Sequence, residues 1–235
     1  MGCSSSSSSN KNTHPTLSNN DPDAFVSPLT EKEIQQRIVC SKQTETKTFQ
    51  TKDGGSYQMR FAHLSQKGYY PNALNKANQD SFCSLNDFNK EESSSLFGVF
   101  DGHGNTGDFC SIFAKNRLPF MLKQGIQKTG KSIHDVSDGE LQQIYVKAFN
   151  DTNELCHNAA FDDTLSGTTA ITVLVKGNFL YVANVGDSRA IICSKDADGR
   201  VLAEPLSIDQ TPFRKDEREV RTVLFFGNFR KQLIH

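Results

Sequence analysis

The residues best suited to chemistry in this sequence are Asp101, Gly102, His103 and Gly104, which directly follow an apolar run over residues 96–100. The valine and phenylalanine residues of that run favour a strand, whereas glycines end strands and allow close backbone approach. The pattern predicts a carboxylate and an imidazole at the exposed end of a buried strand, a rigid support for catalytic groups. A plain turn with a surface histidine is the alternative interpretation of this stretch alone.

A second acid, Asp80, precedes another short apolar stretch, and a polar loop over residues 86–95 then leads to the strand of Asp101. If these two stretches form an antiparallel hairpin, Asp80 and Asp101 fall at the same end of the sheet. Two carboxylates with no arginine nearby repel each other unless a cation lies between them. The spacing therefore predicts a hard divalent ion, Mg²⁺ or Mn²⁺, held by oxygen ligands.

The elements around these acids predict an α+β fold. A helix is expected over residues 106–124, broken or kinked at Pro119, and a second helix begins at a capping box on Ser137. Strands follow, and the turn Gly177-Asn178 joins two of them into a hairpin. Strands, two helices and then a meander of strands are typical of helices that cover antiparallel sheets.

The first residues fit the pattern for N-myristoylation, with Gly2 exposed after removal of methionine and Ser6 at the required position. Cys3 can carry a palmitoyl chain, and two acyl chains anchor a protein stably where one does not. An ordinary disordered start is the alternative. Residues 1–50 are therefore predicted to be a disordered, acylated segment with a short helix that begins at a capping box of Thr30 and Glu33.

Composition limits the class of protein further. The 235 residues carry a formal net charge of -1, which gives no basic footprint for nucleic acid. None of the six cysteines forms a Cys-x-x-Cys pair, and no apolar run is long enough to span a bilayer. These features predict an intracellular, cytoplasmic protein, and the acylation pattern places it at the cytoplasmic face of a membrane.

Several stretches together resemble the metal-dependent Ser/Thr protein phosphatases of type 2C (PPM). The stretches, in that family's order and at its intervals, are residues 76–82, 97–104, 166–170, 185–190 and 207–212. The likeness covers about residues 57 to 219. The residues within several of these motifs are similar to those of a branch linked to cyclic-nucleotide-binding and kinase modules. It implies a two-layer antiparallel β-sandwich flanked by helices, a two-metal site at one edge, and phosphoprotein substrates.

The resemblance also implies residue roles. Asp101 would bridge two Mg²⁺ or Mn²⁺ ions, the Gly102 carbonyl would bind one of them, and Asp80 would act at the same site through water. Asp187 would help to hold a further, weaker metal. The ions would lower the pKa of the water that attacks phosphoserine or phosphothreonine, and His103 would protonate the leaving alkoxide.

Two departures from the family pattern lie close to the first acid. The family's phosphate-binding arginine has no counterpart, because Asn75 falls near its place with Lys76 adjacent. Lys76 can supply positive charge to the substrate phosphate but not the bidentate fork of a guanidinium. Gln79 replaces the acid that commonly precedes Asp80.

A third departure concerns the end of the sequence. The family continues into further strands and helices with two more metal-binding aspartates, whereas residues 221–235 contain no Asp or Glu. We therefore expect an incomplete, C-terminally truncated phosphatase domain over residues 51–219 and a divergent tail over residues 220–235. A membrane-tethered, catalytically silent phosphatase-like binding module is the alternative function.

Overall fold

The computed structural model describes residues 30, 32–33, 36–51, 53–71, 73, 76–219 and 229–232. Gly2, Cys3 and Asn75 lie outside these residues, so the acylation prediction stays a prediction. The chain divides into two units, residues 1–36 and 37–235. In the first unit the predicted capping box is present, because the Glu33 amide donates to Thr30 Oγ1 at 3.4 Å and the Thr30 amide donates to Glu33 Oε2 at 2.9 Å.

The second unit contains strands and helices in an α+β arrangement, as predicted. The strands are β1 Ile38–Cys40, β2 Glu45–Gln50, β3 Ser56–Phe61, β4 Leu64–Gln66, β5 Asp80–Asn86, β6 Ser94–His103, β7 Gly167–Thr168, β8 Ala170–Lys176, β9 Phe179–Val185, β10 Ile191–Lys195, β11 Val201–Pro205 and β12 Phe229–Gln232. The helices are α1 Gly107–Lys128, α2 Asp138–His157 and α3 Lys215–Glu219. Among the residues that the structure describes, no helix is long and apolar enough to cross a membrane.

The largest sheet is antiparallel and has the strand order β12-β9-β8-β6-β5, with β7 paired to the end of β6. Its strand β12 comes from the tail that the sequence predicted to be divergent. Three two-stranded sheets, β1-β4, β2-β3 and β10-β11, accompany it. The hairpin predicted at Gly177-Asn178 joins β8 to β9, and Gly177 has a φ of 57°, which a glycine adopts readily.

The large sheet separates two hydrophobic clusters. On one face, Leu96 and Phe100 of β6 pack in one cluster with Leu118 of α1. On the other face, Phe49 of β2 packs with Ile171 of β8. The second layer of the predicted sandwich is thus formed, in the described residues, by short two-stranded sheets.

Helix α1 differs from its prediction at one point. It runs unbroken from Gly107 to Lys128 with Pro119 inside it, so of the predicted break or kink at Pro119 the break is wrong. A proline removes one backbone donor and usually kinks a helix. Here Leu118 and Leu122, on either side of Pro119, are each 1% exposed, and their burial offsets the lost hydrogen bond.

Candidate metal and catalytic centre

The two predicted acids face each other at one end of the large sheet. In the antiparallel pair of β5 and β6, Asp80 is the partner of Asp101, as the hairpin prediction required. Both residues are exposed. Residues directly opposite in an antiparallel pair point to the same side, so the two carboxyl groups meet at the sheet edge.

The electrostatics of this pair are those of a cation site. Partial desolvation raises the pKa of Asp80, and the adjacent negative charge of Asp101 raises it further. No lysine or arginine in the described part of the chain forms an ion pair with either carboxylate. Two adjacent oxygen donors without a protein counter-charge fit a hard divalent ion.

The described residues do not supply a larger set of ligands. Among them, no cluster of three or more His, Cys, Asp or Glu side chains is arranged to hold a metal ion. The acids brought together are Asp80 and Asp101, and the backbone of Gly102 adjoins them. The described residues therefore supply the two carboxylates of the predicted metal site, Asp80 and Asp101.

The turn after Asp101 requires glycine at two positions. Gly104 has a φ of 85°, and an added Cβ would lie 2.3 Å from the carbonyl oxygen of Leu165. A Cβ on Gly102 would lie 2.1 Å from the carbonyl oxygen of Gly107. Only a residue without a side chain fits at either position, so this backbone can follow Asp101 closely into helix α1.

Gln79 holds this turn against the strand of the first acid. Its carbonyl accepts a hydrogen bond from the Gly102 amide at 3.1 Å, and its Nε2 donates to the Gly104 carbonyl at 2.6 Å. A carboxylate could not donate that second bond. From the sequence, Gln79 was identified only as a departure from the family pattern, although its place next to Asp80 was a usable signal.

Thr169 and Ser188 position Asp101 from the other side, and sequence reasoning assigned neither of them a role. The Asp101 amide donates to Thr169 Oγ1 at 3.0 Å, and the Thr169 amide donates to the Asp101 carbonyl at 2.9 Å. Thr169 Oγ1 and Ser188 Oγ are 2.6 Å apart. This chain of contacts links Asp101 to the loop after β9 that carries Asp187, whose metal role stays a prediction.

His103 lies two residues beyond Asp101, where β6 pairs with β7, and it is exposed. Its imidazole rests on Gly167, since a Cβ added to Gly167 would lie 2.9 Å from His103 Cε1 and 3.0 Å from Nε2. Gly167 thus leaves the space that the ring occupies. The structure places this histidine at the same sheet end as the two acids, as the sequence predicted.

Lys76, the predicted phosphate ligand, contacts an aromatic ring. Its Nζ lies 4.2 Å from the centroid of the Tyr70 ring, a cation–π contact. Both residues are exposed and belong to the loop before Asp80. The contact orients the ammonium group, and the role of Lys76 in phosphate binding stays a prediction.

These features define an α+β protein with paired carboxylates at the end of an antiparallel sheet. The family model for protein phosphatase 2C matches residues 71–220, and the chain belongs to this family. The chain is 48% identical over 164 residues to the probable protein phosphatase 2C 35 of Arabidopsis thaliana, and the matched region covers 70% of this chain and 44% of that protein. It is 33% identical over 141 residues to protein phosphatase 1L of Bos taurus, covering 60% of this chain and 38% of that protein.

The chain spans less than half the length of these two curated relatives. Among solved structures, the serine-threonine phosphatase 2C from Toxoplasma gondii resembles it with a TM-score of 0.41 and 20% identity, covering 59% of this chain and 52% of that one.

Proposed function

We propose that this protein is a Mg²⁺- or Mn²⁺-dependent protein serine/threonine phosphatase that hydrolyses phosphoserine and phosphothreonine in phosphoprotein substrates. The observation that carries the proposal is the placement of Asp80 opposite Asp101, with the pKa of Asp80 raised and His103 exposed at the same sheet end. Membership of the protein phosphatase 2C family supports the reaction type.

The metal ions would be held by Asp80, Asp101 and the Gly102 carbonyl, with Asp187 as a ligand for a further ion. When bound, such ions supply Lewis acidity and lower the pKa of a coordinated water to near neutrality. The protein's part is to hold the two carboxyl groups close together at the end of the sheet. The hydrogen bond that the Asp101 amide donates to Thr169 Oγ1 and the one that Gln79 Nε2 donates to the Gly104 carbonyl hold that arrangement before a ligand arrives.

His103 would act on the leaving group. Its imidazole would donate a proton to the seryl or threonyl alkoxide as the P–O bond breaks. Lys76, held over the Tyr70 ring, would attract the phosphate as a point charge. Neither step requires a phosphoenzyme, so the cysteines have no role in this reaction.

The test is turnover of a phosphothreonine peptide by purified residues 1–235 with and without Mn²⁺, beside Asp101→Asn and the remote control Asp198→Asn. We expect Mn²⁺-dependent turnover that falls by about 10³-fold in Asp101→Asn, the scale of losing one electrostatic stabiliser, and is unchanged in Asp198→Asn. Metal-independent turnover, or equal rates in both variants, would contradict the proposal.

A catalytically silent, membrane-tethered binding module is the second candidate. The observation that favours it is that the described residues contain no cluster of three potential metal-binding side chains. A silent module would bind a phosphothreonine peptide, measured by fluorescence anisotropy, without releasing phosphate. Release of phosphate under the same conditions would exclude this candidate.

For the N-terminal segment, residues 1–50, we propose acylation at Gly2 and Cys3 and attachment to the cytoplasmic face of a membrane, beside a phosphatase domain over residues 51–219. The support is the sequence pattern. We expect Gly2→Ala to move the protein from the membrane fraction to the soluble fraction of cells, with Ser9→Ala as the matched control. Equal partitioning of both variants would contradict the proposal.

A further inference from the structure

Arg37 lies directly before strand β1 and is held by the loop that follows β4. Its Nη1 donates to the Gly68 carbonyl at 2.9 Å, and its guanidinium carbon lies 5.1 Å from the centroid of the Tyr69 ring. A guanidinium fixed by a backbone carbonyl and an aromatic face loses less side-chain freedom when it binds an anion. Arg37 is thus preorganised, although its side chain is only half-buried.

Most donors of this guanidinium remain available. An arginine side chain carries five N–H donors, and the Gly68 carbonyl takes one of those of Arg37. In the described part of the chain, no carboxylate forms an ion pair with Arg37. The side chain therefore presents a positive charge and N–H groups in the fork that a carboxylate binds.

A second cation belongs to the same loop. The Tyr70 ring, which lies 4.2 Å from Lys76 Nζ, packs on Gly68, because a Cβ added to Gly68 would lie 3.0 Å from Tyr70 Cε2. Two turns fold the loop back: the Ala73 amide donates to the Tyr70 carbonyl at 3.0 Å, and the Lys76 amide donates to the Ala73 carbonyl at 2.9 Å. Gly68 therefore contacts both Arg37 and the ring that carries Lys76.

The charged side chains around this loop are all positive. Residues 34–44 and 61–79 contain no Asp or Glu, and their lysine and arginine residues are Arg37, Lys42, Lys67 and Lys76. The whole chain, by contrast, has a formal net charge of -1. Because positive charge is concentrated here, this surface favours an acidic partner over a neutral or basic one.

Strand β4 brings the positive loop alongside the two acids of the candidate metal site. Ser65 of β4 accepts a hydrogen bond from Asn78 Nδ2 at 2.8 Å, and Asn78 lies two residues before Asp80. Arg37 lies opposite the residue that follows β4, since the Lys67 amide donates to the Arg37 carbonyl at 2.8 Å. Arg37 and Asp80 are therefore separated by a distance that at most about six extended residues span.

We propose that Arg37 is a specificity-determining residue that binds an acidic side chain about four to six positions from the phosphoserine or phosphothreonine of the substrate. The inference rests on the proposed phosphatase function and adds a substrate class, proteins phosphorylated near clusters of Asp and Glu. Lys76, four residues before Asp80, would attract the phosphate itself, while the remaining N–H groups of Arg37 bind the flanking carboxylate. An acidic membrane surface could also attract these charges, but the position of Arg37 beside the approach to Asp80 favours the substrate.

The test compares two phosphothreonine peptides that carry either glutamates or glutamines about three to six positions from the phosphothreonine, on both sides. Turnover with Mn²⁺ is measured for the full chain, for Arg37→Gln and Arg37→Lys, and for Lys42→Gln, an exposed lysine in the same acid-free segment. We expect wild type to prefer the glutamate peptide about tenfold in kcat/KM at low salt, through KM rather than kcat, and to lose this preference at about 1 M salt.

The variants separate charge from structure. Arg37→Gln should reduce the preference to about twofold, Arg37→Lys should keep about half of it because the charge remains, and Lys42→Gln should match wild type. An unchanged preference in Arg37→Gln would overturn the proposal. An equal loss in Arg37→Lys and Arg37→Gln would also overturn it, because the contact with Gly68, and not the charge, would then set the preference.

Binding of the same two peptides in EDTA, measured by fluorescence anisotropy, separates this inference from the phosphatase proposal. No turnover of either peptide would contradict the phosphatase proposal, whereas tighter binding of the glutamate peptide that Arg37→Gln removes would still support the acidic subsite. Equal binding of both peptides by wild type would overturn the subsite. So would a variant Arg37→Gln that binds both peptides as wild type does and loses only its binding to phosphatidylserine-containing vesicles, since Arg37 would then be a membrane contact.

Discussion

Asp80 and Asp101 are partners across the antiparallel pair of β5 and β6, and the charge of one raises the pKa of the other. The folded protein therefore holds two acids together where the unfolded chain would keep them apart. Such an arrangement costs stability in the absence of a cation and favours binding of one.

The stability of the metal-free protein should reflect this repulsion. Because the pKa of Asp80 is raised on folding, the folded state binds its proton more tightly than the unfolded chain, and this contribution to stability is lost as pH rises through the raised pKa. We expect Asp101→Asn to raise the Tm of metal-free protein by about 1–2 °C at pH 7, an exposed-pair effect. Differential scanning calorimetry in EDTA measures it.

The same variant should lower the pKa of Asp80, because the neighbouring charge is gone. NMR titration of the Asp80 carboxyl carbon in EDTA checks this. Asp198→Asn, at an exposed turn residue, is the control and should change neither the Tm nor the titration. A drop in Tm for Asp101→Asn would show that the acid stabilises the fold rather than straining it.

The amide of Gln79 should matter for the turn after Asp101. Gln79→Ala removes the 2.6 Å hydrogen bond to the Gly104 carbonyl, and we expect the free energy of unfolding to fall by about 1 kcal/mol. Urea unfolding measures it, with Gln58→Ala at an exposed position of β3 as the control. Equal losses in the two variants would mean that water replaces the Gln79 amide at no cost.

Gly104 and Gly130, two of the glycines with positive φ, offer a matched pair. Gly130 has a φ of 68° and open space around it, so Gly130→Ala should cost about 1 kcal/mol from backbone strain alone. Gly104→Ala adds a contact of 2.3 Å with the Leu165 carbonyl and should cost at least about 2 kcal/mol. Urea unfolding compares the two variants. A smaller loss of unfolding free energy for Gly104→Ala would show that the loop containing Leu165 moves to accommodate the new Cβ.

Gly167 should act on catalysis through His103. Gly167→Ala places a Cβ 2.9 Å from His103 Cε1, so the ring must move. We expect turnover to fall by about 10- to 100-fold with Mn²⁺ affinity unchanged, since a displaced acid loses its alignment. Gly139→Ala, whose Cβ meets no atom within 4 Å, is the control. A loss of Mn²⁺ affinity in Gly167→Ala would contradict a role confined to His103.

Sequence patterns located the acids well, because the spacing of Asp80, Asp101 and their apolar stretches depends only on strand alternation and a hairpin. The capping boxes at Thr30 and Ser137 were likewise confirmed, since they rest on contacts three residues apart. The break expected at Pro119 was wrong because a local preference was outweighed by burial against the sheet.

What the sequence could not supply are contacts between distant residues. The bond from Gln79 to Gly104 and that from Asp101 to Thr169 span 25 and 68 positions, and no local pattern encodes them. The support of the His103 ring by Gly167 is of the same kind. The shape of the second layer, built in the described residues from two-stranded sheets, also depends on such long-range packing.

Direct binding of Mn²⁺ is the most immediate test of the central claim that Asp80 and Asp101 form a divalent-metal site. Electron paramagnetic resonance of free Mn²⁺, titrated with the full chain, reports binding without relying on turnover. We expect saturable binding in wild type and in Asp198→Asn, and at least a tenfold loss of affinity in both Asp80→Asn and Asp101→Asn. Wild-type affinity in those two variants, or no binding by the folded wild-type chain, would contradict the account.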